Sequence, residues 1–196
     1  MPQVTGILLA AGLSRRFGSN KLLHPLANGV PLVIHATRRL QEVLPRSIVV
    51  VNAQDHATRE LLESESVQVV FNNDTERGMG TSIACGVRAS LHSHGWVIAL
   101  ADMPYLNAST IRSVAAGIRD RNSICAPLYG NQRGHPVGFG SAYAEELIDL
   151  SGNEGARRII AANRDCLELF ATQDSGAIAD IDYPQDINTV CNYSPP

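Results

Sequence analysis

The chain has 196 residues, 44% hydrophobic and 18% charged, with a net charge of -3 at pH 7 and an isoelectric point of about 6.0. That length permits one domain with a sizeable core, and the composition is that of a soluble globular protein rather than a disordered or fibrous one. The slightly acidic balance excludes a broad basic face for nucleic acid or membrane, so any anionic ligand has to be met by locally concentrated charge.

Residues 4–9 form an apolar run that reads as a buried strand, and it passes through Leu9-Ala10-Ala11-Gly12 into a loop holding Ser14, Arg15, Arg16, Gly18 and Lys21. Small residues let the backbone approach an anion, successive N–H groups can converge on phosphate oxygens, and Arg15 and Lys21 add full charges. The stretch therefore reads as a triphosphate cradle, with a plain turn bearing exposed basic residues as the competing reading. Five residues separate Gly12 from Gly18 and Lys21 lies three positions beyond Gly18, which is not the Walker spacing, and no G-x-G-x-x-G fingerprint is present. Lys21 is the single lysine among 16 basic residues, as suits a position that needs a compact ammonium. The apolar start lacks a preceding basic segment, and no apolar stretch approaches the ~20 residues of a membrane span, so a cytoplasmic location is expected.

Further along, 31–44 opens with Pro31 and sets Val33, Ala36, Leu40 and Val43 on one helical face, stopping before Pro45. Residues 47–51 and 67–71 are strand candidates. After the second come Asn72-Asn73-Asp74 and Gly78-Met79-Gly80-Thr81-Ser82, which lead into a helix carrying Ile83, Val87 and Leu91. Amides and a glycine-flanked helix start suit a base edge, ribose or phosphate, and equally suit an ordinary loop and cap. The strand 96–100 is followed by Ala101-Asp102-Met103-Pro104, which places Asp102 at the carboxyl edge of a parallel sheet, where open α/β folds bind ligands. There it can hold Mg²⁺ or simply start a turn. A helix over 107–119, with Asn107 as its cap, and a strand over 123–126 complete the alternation, which indicates an α/β fold with a mostly parallel sheet covered by helices and a single domain over 1–196.

In the last third, Gln132-Arg133-Gly134-His135-Pro136 combines a forked cation, a residue permitting close approach, an imidazole and a stiff turn. Gly152-Asn153-Glu154-Gly155-Ala156-Arg157-Arg158 reads as the start of a helix able to meet a second anion. Asp180-Ile181-Asp182-Tyr183-Pro184 offers two more carboxylates ahead of a helix with Ile187, Val190 and Cys191 on its apolar face. The four cysteines, Cys85, Cys125, Cys166 and Cys191, form no C-x-x-C pair, so free thiols are expected rather than a zinc site or a disulfide framework.

The string LLAAGLSRRFGSNKLL resembles the signature loop of the MobA-like nucleotidyltransferases, and most closely that of the molybdenum cofactor cytidylyltransferases. GMGTSIACG, ALADMP, PLYGNQRGHPVGF, GNEGARRII and DIDYPQD follow in the family's order, so the resemblance spans Thr5 to about Asp186. It implies a three-layer α/β/α Rossmann-like nucleotidyltransferase fold. It also implies transfer of CMP from CTP to the phosphate of the molybdopterin of the molybdenum cofactor, with release of pyrophosphate. By the same resemblance Leu9, Ala10, Ala11, Gly12, Lys21, Gly80 and Ser82 hold the nucleotide, Arg15, Lys21 and Asp102 are catalytic, and Asp102 with Asp182 holds Mg²⁺, Asp180 being the alternative to Asp182. Arg133, Gly134, His135, Pro136, Gly155 and Arg157 face the acceptor. L-A-A-G goes with CTP in this family and L-A-G-G with GTP. Asn153 stands where the family usually has aspartate, leaving one negative charge fewer at the acceptor end. A client molybdoenzyme is the implied protein partner. The alternatives are a guanylyltransferase, a nucleotidyltransferase for another phosphorylated acceptor, a non-catalytic cofactor-binding chaperone and, despite the missing fingerprint, a nicotinamide-dependent oxidoreductase.

Overall fold

The computed structural model describes residues 3–12, 14 and 17–187. In chain order the regular elements are β1 (Val4–Ala10), α1 (Leu32–Val43), β2 (Ser47–Asn52), α2 (His56–Glu63), β3 (Gln68–Asn72), α3 (Met79–Arg88), β4 (Gly95–Leu100) and α4 (Ala108–Gly117). There follow β5 (Ile124–Tyr129), β6 (Gln132–Arg133), β7 (Val137–Gly140), α5 (Ala144–Ile148), α6 (Arg157–Ala162) and β8 (Leu167–Thr172). Among the described residues the sheet has eight strands, in the order β3-β2-β1-β4-β7-β5-β6, with β8 paired to β5. Strands β1 to β4 run parallel, β7 lies antiparallel between β4 and β5, and β8 is parallel to β5.

Alternation along the strands explains the three layers, since successive side chains leave a sheet on opposite faces. Leu8, Ala10, Val49, Val51, Val97 and Ala99 point into one core with Leu32, Val33 and Leu40 of α1 and Ile111 and Val114 of α4. Ile7, Leu9, Ile48, Val50, Trp96 and Ile98 enter the other with Ile83 and Val87 of α3, Leu147 of α5 and Ile159 of α6. Both faces are covered, which is why these strands are continuously apolar. Among the described residues no helix is long and apolar enough to cross a membrane, and Cys85, Cys125 and Cys166 are free thiols.

Several elements differ from the sequence expectation. The helix expected to carry Leu91 ends at Arg88, because the Ser90 hydroxyl donates to the Gly86 carbonyl at 2.8 Å and receives the Trp96 indole N–H at 2.9 Å; Leu91 lies beyond it and is exposed. Asn107 precedes α4 without a side-chain cap; Asp174, from much later in the chain, holds the start of the helix by accepting from the Asn107 amide and the Thr110 hydroxyl. The helix expected from Gly152 begins only at Arg157 and has six residues, Gly152 and Gly155 being turn residues with φ of 77° and 57°. A helix that short offers little dipole for an anion. Asp186 and Ile187 are helical, while Val190 and Cys191 lie outside the described residues.

Candidate active site

Because β1 and β4 are parallel neighbours, with Leu9 opposite Leu100, the loops that leave them open on the same edge. Past Ala10 the chain runs through Ala11 and Gly12 and returns in a 3-10 turn over Lys21–Leu23. Four hydrogen bonds fix that return. The Lys21 amide donates to Ser14 Oγ at 3.3 Å, and Leu22 and Phe17 are buried. Asn20 Nδ2 donates to Asp55 Oδ2 at 2.8 Å and to Thr58 Oγ1 at 3.1 Å, at the start of α2. Asn20 Oδ1 meanwhile accepts from the Leu22 amide at 3.2 Å.

The turn presents Lys21, which is 8% exposed, to the end of β4. Its Nζ donates to Asp102 Oδ2 at 2.9 Å and to the Ile181 carbonyl at 2.7 Å, and lies 3.6 Å from Asp182 Oδ1. The Ile181 amide donates back to the Asp102 carbonyl at 2.9 Å, which docks the C-terminal acidic segment on the loop after β4. One oxygen from each of Asp102, Asp180 and Asp182 falls within 4.8 Å of the others. Asp102 Oδ1 is buried without a hydrogen-bond partner. Three carboxylates against one ammonium leave excess negative charge, and burial, reinforced by Asp102 and Asp182 against the opposing Lys21, raises the Asp180 pKa above the usual carboxylate value. Hard oxygen donors with an orphaned buried oxygen fit a divalent cation such as Mg²⁺.

A cavity of about 420 Å³ opens over this group, lined by Leu9, Ala10, Ala11, Gly12, Ser14, Lys21, Asp102 and Asp182 on one side and by Thr75, Glu76, Gly78, Met79, Ser82 and Asn153 on the other. A Cβ built on Gly12 meets nothing within 4 Å, so its backbone faces open space that a ligand can enter. Of the other residues expected at the nucleotide, Ser82 lines the cavity while its Oγ accepts from Asn72 Nδ2 at 2.9 Å. Gly80 is not on the lining. Its amide donates to the Gly152 carbonyl at 2.9 Å, and an added Cβ would come within 2.7–2.8 Å of the Ser151 backbone, so it is a close-packing position between α3 and the 150–153 loop. Asn72 is buried and spent on Thr81 and Ser82, a structural use that its neighbours in sequence did not reveal. Arg15, expected to be catalytic, lies outside the described residues, as do Leu13 and Arg16.

A second cavity of about 370 Å³ adjoins the first, and Leu9, Met79, Leu100 and Asn153 line both. It collects Arg133, Gly134, His135, Gly155, Arg157 and Asp180 above an apolar floor that includes Ile98, Val137 and Phe139. Asp180 thus looks into this cavity, whereas Asp182 looks into the first. Pro136 is buried behind the lining, joined to His135 by a cis peptide. Gly134 is held by its amide to the Pro127 carbonyl at 2.8 Å, and a Cβ there would strike the Ala177 carbonyl. Arg133 Nη1 and His135 Nδ1 are buried without hydrogen-bond partners, so the cavity has polar groups waiting for a ligand.

Burial, with the Arg133 and Arg157 cations adding to it against Asp102, pushes the His135 pKa down to about 4. The imidazole is therefore neutral at pH 7. An unfolded histidine titrates near ~6.5, so between that pH and about 4 the unfolded chain takes up a proton that the folded chain refuses. Stability present above pH 6.5 is lost as pH falls, and for this partly exposed group the expected loss by pH 4 is about 2–3 kcal/mol. Burial also lowers the His35 pKa, with Arg39 and Arg38 adding to the shift, so His35 acts in the same direction. Urea unfolding between pH 7.5 and 4.5 should show a shallower fall for His135→Gln than for the wild type; equal slopes would remove His135 from the linkage.

An α/β/α sheet with a lysine–carboxylate group and paired cavities at its carboxyl edge is the arrangement of a nucleotidyltransferase. Residues 6–167 match the family described as the MobA-like NTP transferase domain, and the chain belongs to it. It is 31% identical to the purine catabolism protein PucB of Bacillus subtilis, over 96% of each chain. It is 27% identical to the nicotine blue oxidoreductase of Paenarthrobacter nicotinovorans, over 93% of each. It is 26% identical to the molybdenum cofactor cytidylyltransferase of Escherichia coli, over 96% of each. The crystal structure of Rv0371c from Mycobacterium tuberculosis has the same fold, with a TM-score of 0.85 at 24% identity over 98% of this chain and 100% of that one.

Proposed function

We propose that this chain is a Mg²⁺-dependent cytidylyltransferase that transfers CMP from CTP to the phosphate of the molybdopterin of the molybdenum cofactor, in the cytoplasm. The observation that carries the reading is the convergence of Lys21 Nζ on Asp102 and Asp182 within a cavity that shares a wall with a second one holding Arg133, His135 and Arg157. Donor and acceptor then lie side by side, as in-line transfer requires.

In the reaction an acceptor phosphate oxygen forms a bond to the α-phosphorus, the bond from that phosphorus to the bridging oxygen breaks, and pyrophosphate leaves. A phosphate monoester is already largely ionised at pH 7, so no catalytic base is needed. The Gly12 loop admits the triphosphate, and Lys21 supplies a fixed positive charge against the negative charge that develops. Asp102 and Asp182 would hold Mg²⁺, which when bound neutralises phosphate oxygens and orients them. Arg133 and Arg157 supply cations for the acceptor's anion, and neutral His135 offers a hydrogen bond without added charge.

Support for CTP rather than GTP comes from Ala11, whose methyl lies on the cavity lining. The nicotine blue relative does not displace this reading, because the chain carries no dinucleotide fingerprint. Pyrophosphate release should be fastest with CTP, Mg²⁺ and molybdenum cofactor together, in a panel of the four ribonucleoside triphosphates. Release with GTP alone among them would reassign the base, and no release with any would leave a non-catalytic carrier.

A further inference from the structure

Of the four described residues that line both cavities, Leu9, Met79 and Leu100 are apolar, and Asn153 alone carries a polar side chain. Asn153 is exposed, yet its backbone is anchored through the residue before it. The Gly152 amide donates to the Arg77 carbonyl at 2.7 Å, and the Gly152 carbonyl accepts from the Gly80 amide at 2.9 Å, at the start of α3. Asn153 Oδ1 lies over Gly78, where an added Cβ would come within 2.5 Å of it. The carboxamide makes no hydrogen bond with any described residue, so its donors are available to a ligand.

With a triphosphate in the first cavity and a phosphorylated acceptor in the second, anions come to this shared wall from both sides. The cations are divided between the cavities: Lys21 lines the first, Arg133 and Arg157 line the second, and none of the three lines both. The new bond forms where the cavities meet, against a wall that is otherwise apolar. A carboxamide there offers two N–H donors and adds no charge.

We propose that Asn153 is a catalytic residue, whose side-chain amide donates to an oxygen of the phosphoryl group in transit between the two cavities; this rests on the proposed function. The acceptor oxygen bonds to the α-phosphorus, the bond to the bridging oxygen breaks, and pyrophosphate leaves with the electron pair. Asn153 gains and loses no proton. Its donor is aimed at charge that shifts onto the phosphoryl oxygens as the bonds change, so it acts on turnover more than on the binding of either substrate.

The test compares Asn153→Ala and Asn153→Asp with the wild type. It measures pyrophosphate release with Mg²⁺, molybdenum cofactor and the fastest of the four ribonucleoside triphosphates, beside calorimetric binding of that triphosphate and the melting temperature. Asn153→Ala should lower kcat by at least about tenfold, with the triphosphate Kd and the acceptor KM within about threefold of wild type and the melting temperature unchanged. Asn153→Asp keeps the shape but sets a carboxylate against phosphate oxygens, and should lower kcat further, to about a hundredth of wild type. A kcat within about threefold of wild type in both variants overturns the role of Asn153 while the proposed function stands. A raised Kd or KM at unchanged kcat overturns it too, since Asn153 would then only bind one substrate. If the wild type releases pyrophosphate with none of the four, the proposed function falls and the role of Asn153 falls with it.

Discussion

Asp102→Asn is expected to slow pyrophosphate release by about 10²–10³-fold while the protein stays folded. Asparagine keeps the shape of the side chain and can still accept from Lys21 Nζ, which lies 2.9 Å from Asp102 Oδ2, so the substitution removes charge without opening a hole. What disappears is the carboxylate nearest to the ammonium, and with it the buried Oδ1 that has no partner within the protein. A Mn²⁺ titration should weaken in parallel, which separates lost metal affinity from a general loss of activity. Asp182→Asn should cost less, since Asp182 Oδ1 stands 3.6 Å from the ammonium and Asp180 remains beside it. A turnover within about threefold of wild type for Asp102→Asn would remove that carboxylate from catalysis, because a charge at the reacting phosphate is worth more than that.

How much of this was legible in the sequence depends on range. β1, β2 and β4 were readable because both faces of each are buried, so Ile7 through Leu9 and Ile48 through Val51 are unbroken apolar runs. β7 was hidden because Val137-Gly138-Phe139-Gly140 lies within a segment that reads as a turn, and Gly138 and Gly140 are required by neighbours from elsewhere, the Cys125 thiol and the 120–121 backbone. β8 was hidden because Leu167–Thr172 is only partly covered and mixes apolar with polar residues. Lys21 and Asp102 could each be marked as residues that follow a strand. Their meeting depends on β4 lying beside β1, which no local pattern encodes. The same holds for Asn20 on Asp55, and for the Ile181 carbonyl that completes the shell around Lys21.

The C-terminal acids reach the site through one buried carboxylate, and its removal is expected to be the most destabilising single change outside the apolar core. Asp174 is 7% exposed. Its Oδ2 accepts from the Asn107 amide at 2.9 Å and the Thr110 hydroxyl at 2.6 Å, and its Oδ1 accepts from the Gly176 amide at 3.0 Å. It therefore ties down the start of α4 from a distance, where a negative charge also suits the helix dipole. The same carboxylate pins the turn at Ser175–Ala177, whose Gly176 lies so close to the Tyr105 carbonyl that no Cβ fits. Asp174→Ala leaves three donors without partners, for an expected loss of about 3–5 kcal/mol. In a chain of 196 residues that lowers the melting temperature by roughly 10 °C. The effect should reach the site, because the Ala177 carbonyl holds the His135 amide at 2.8 Å and the following residues carry Asp180 and Asp182 to Asp102. Below its melting temperature the variant should thus bind Mn²⁺ more weakly than wild type, although Asp174 belongs to neither cavity. Asp174→Asn, which keeps one acceptor oxygen, should fall between the two in both stability and metal affinity. Wild-type metal affinity in Asp174→Ala, at a measured stability loss, would mean that the acidic segment is held by its contacts with Asp102 and Lys21 without help from Asp174.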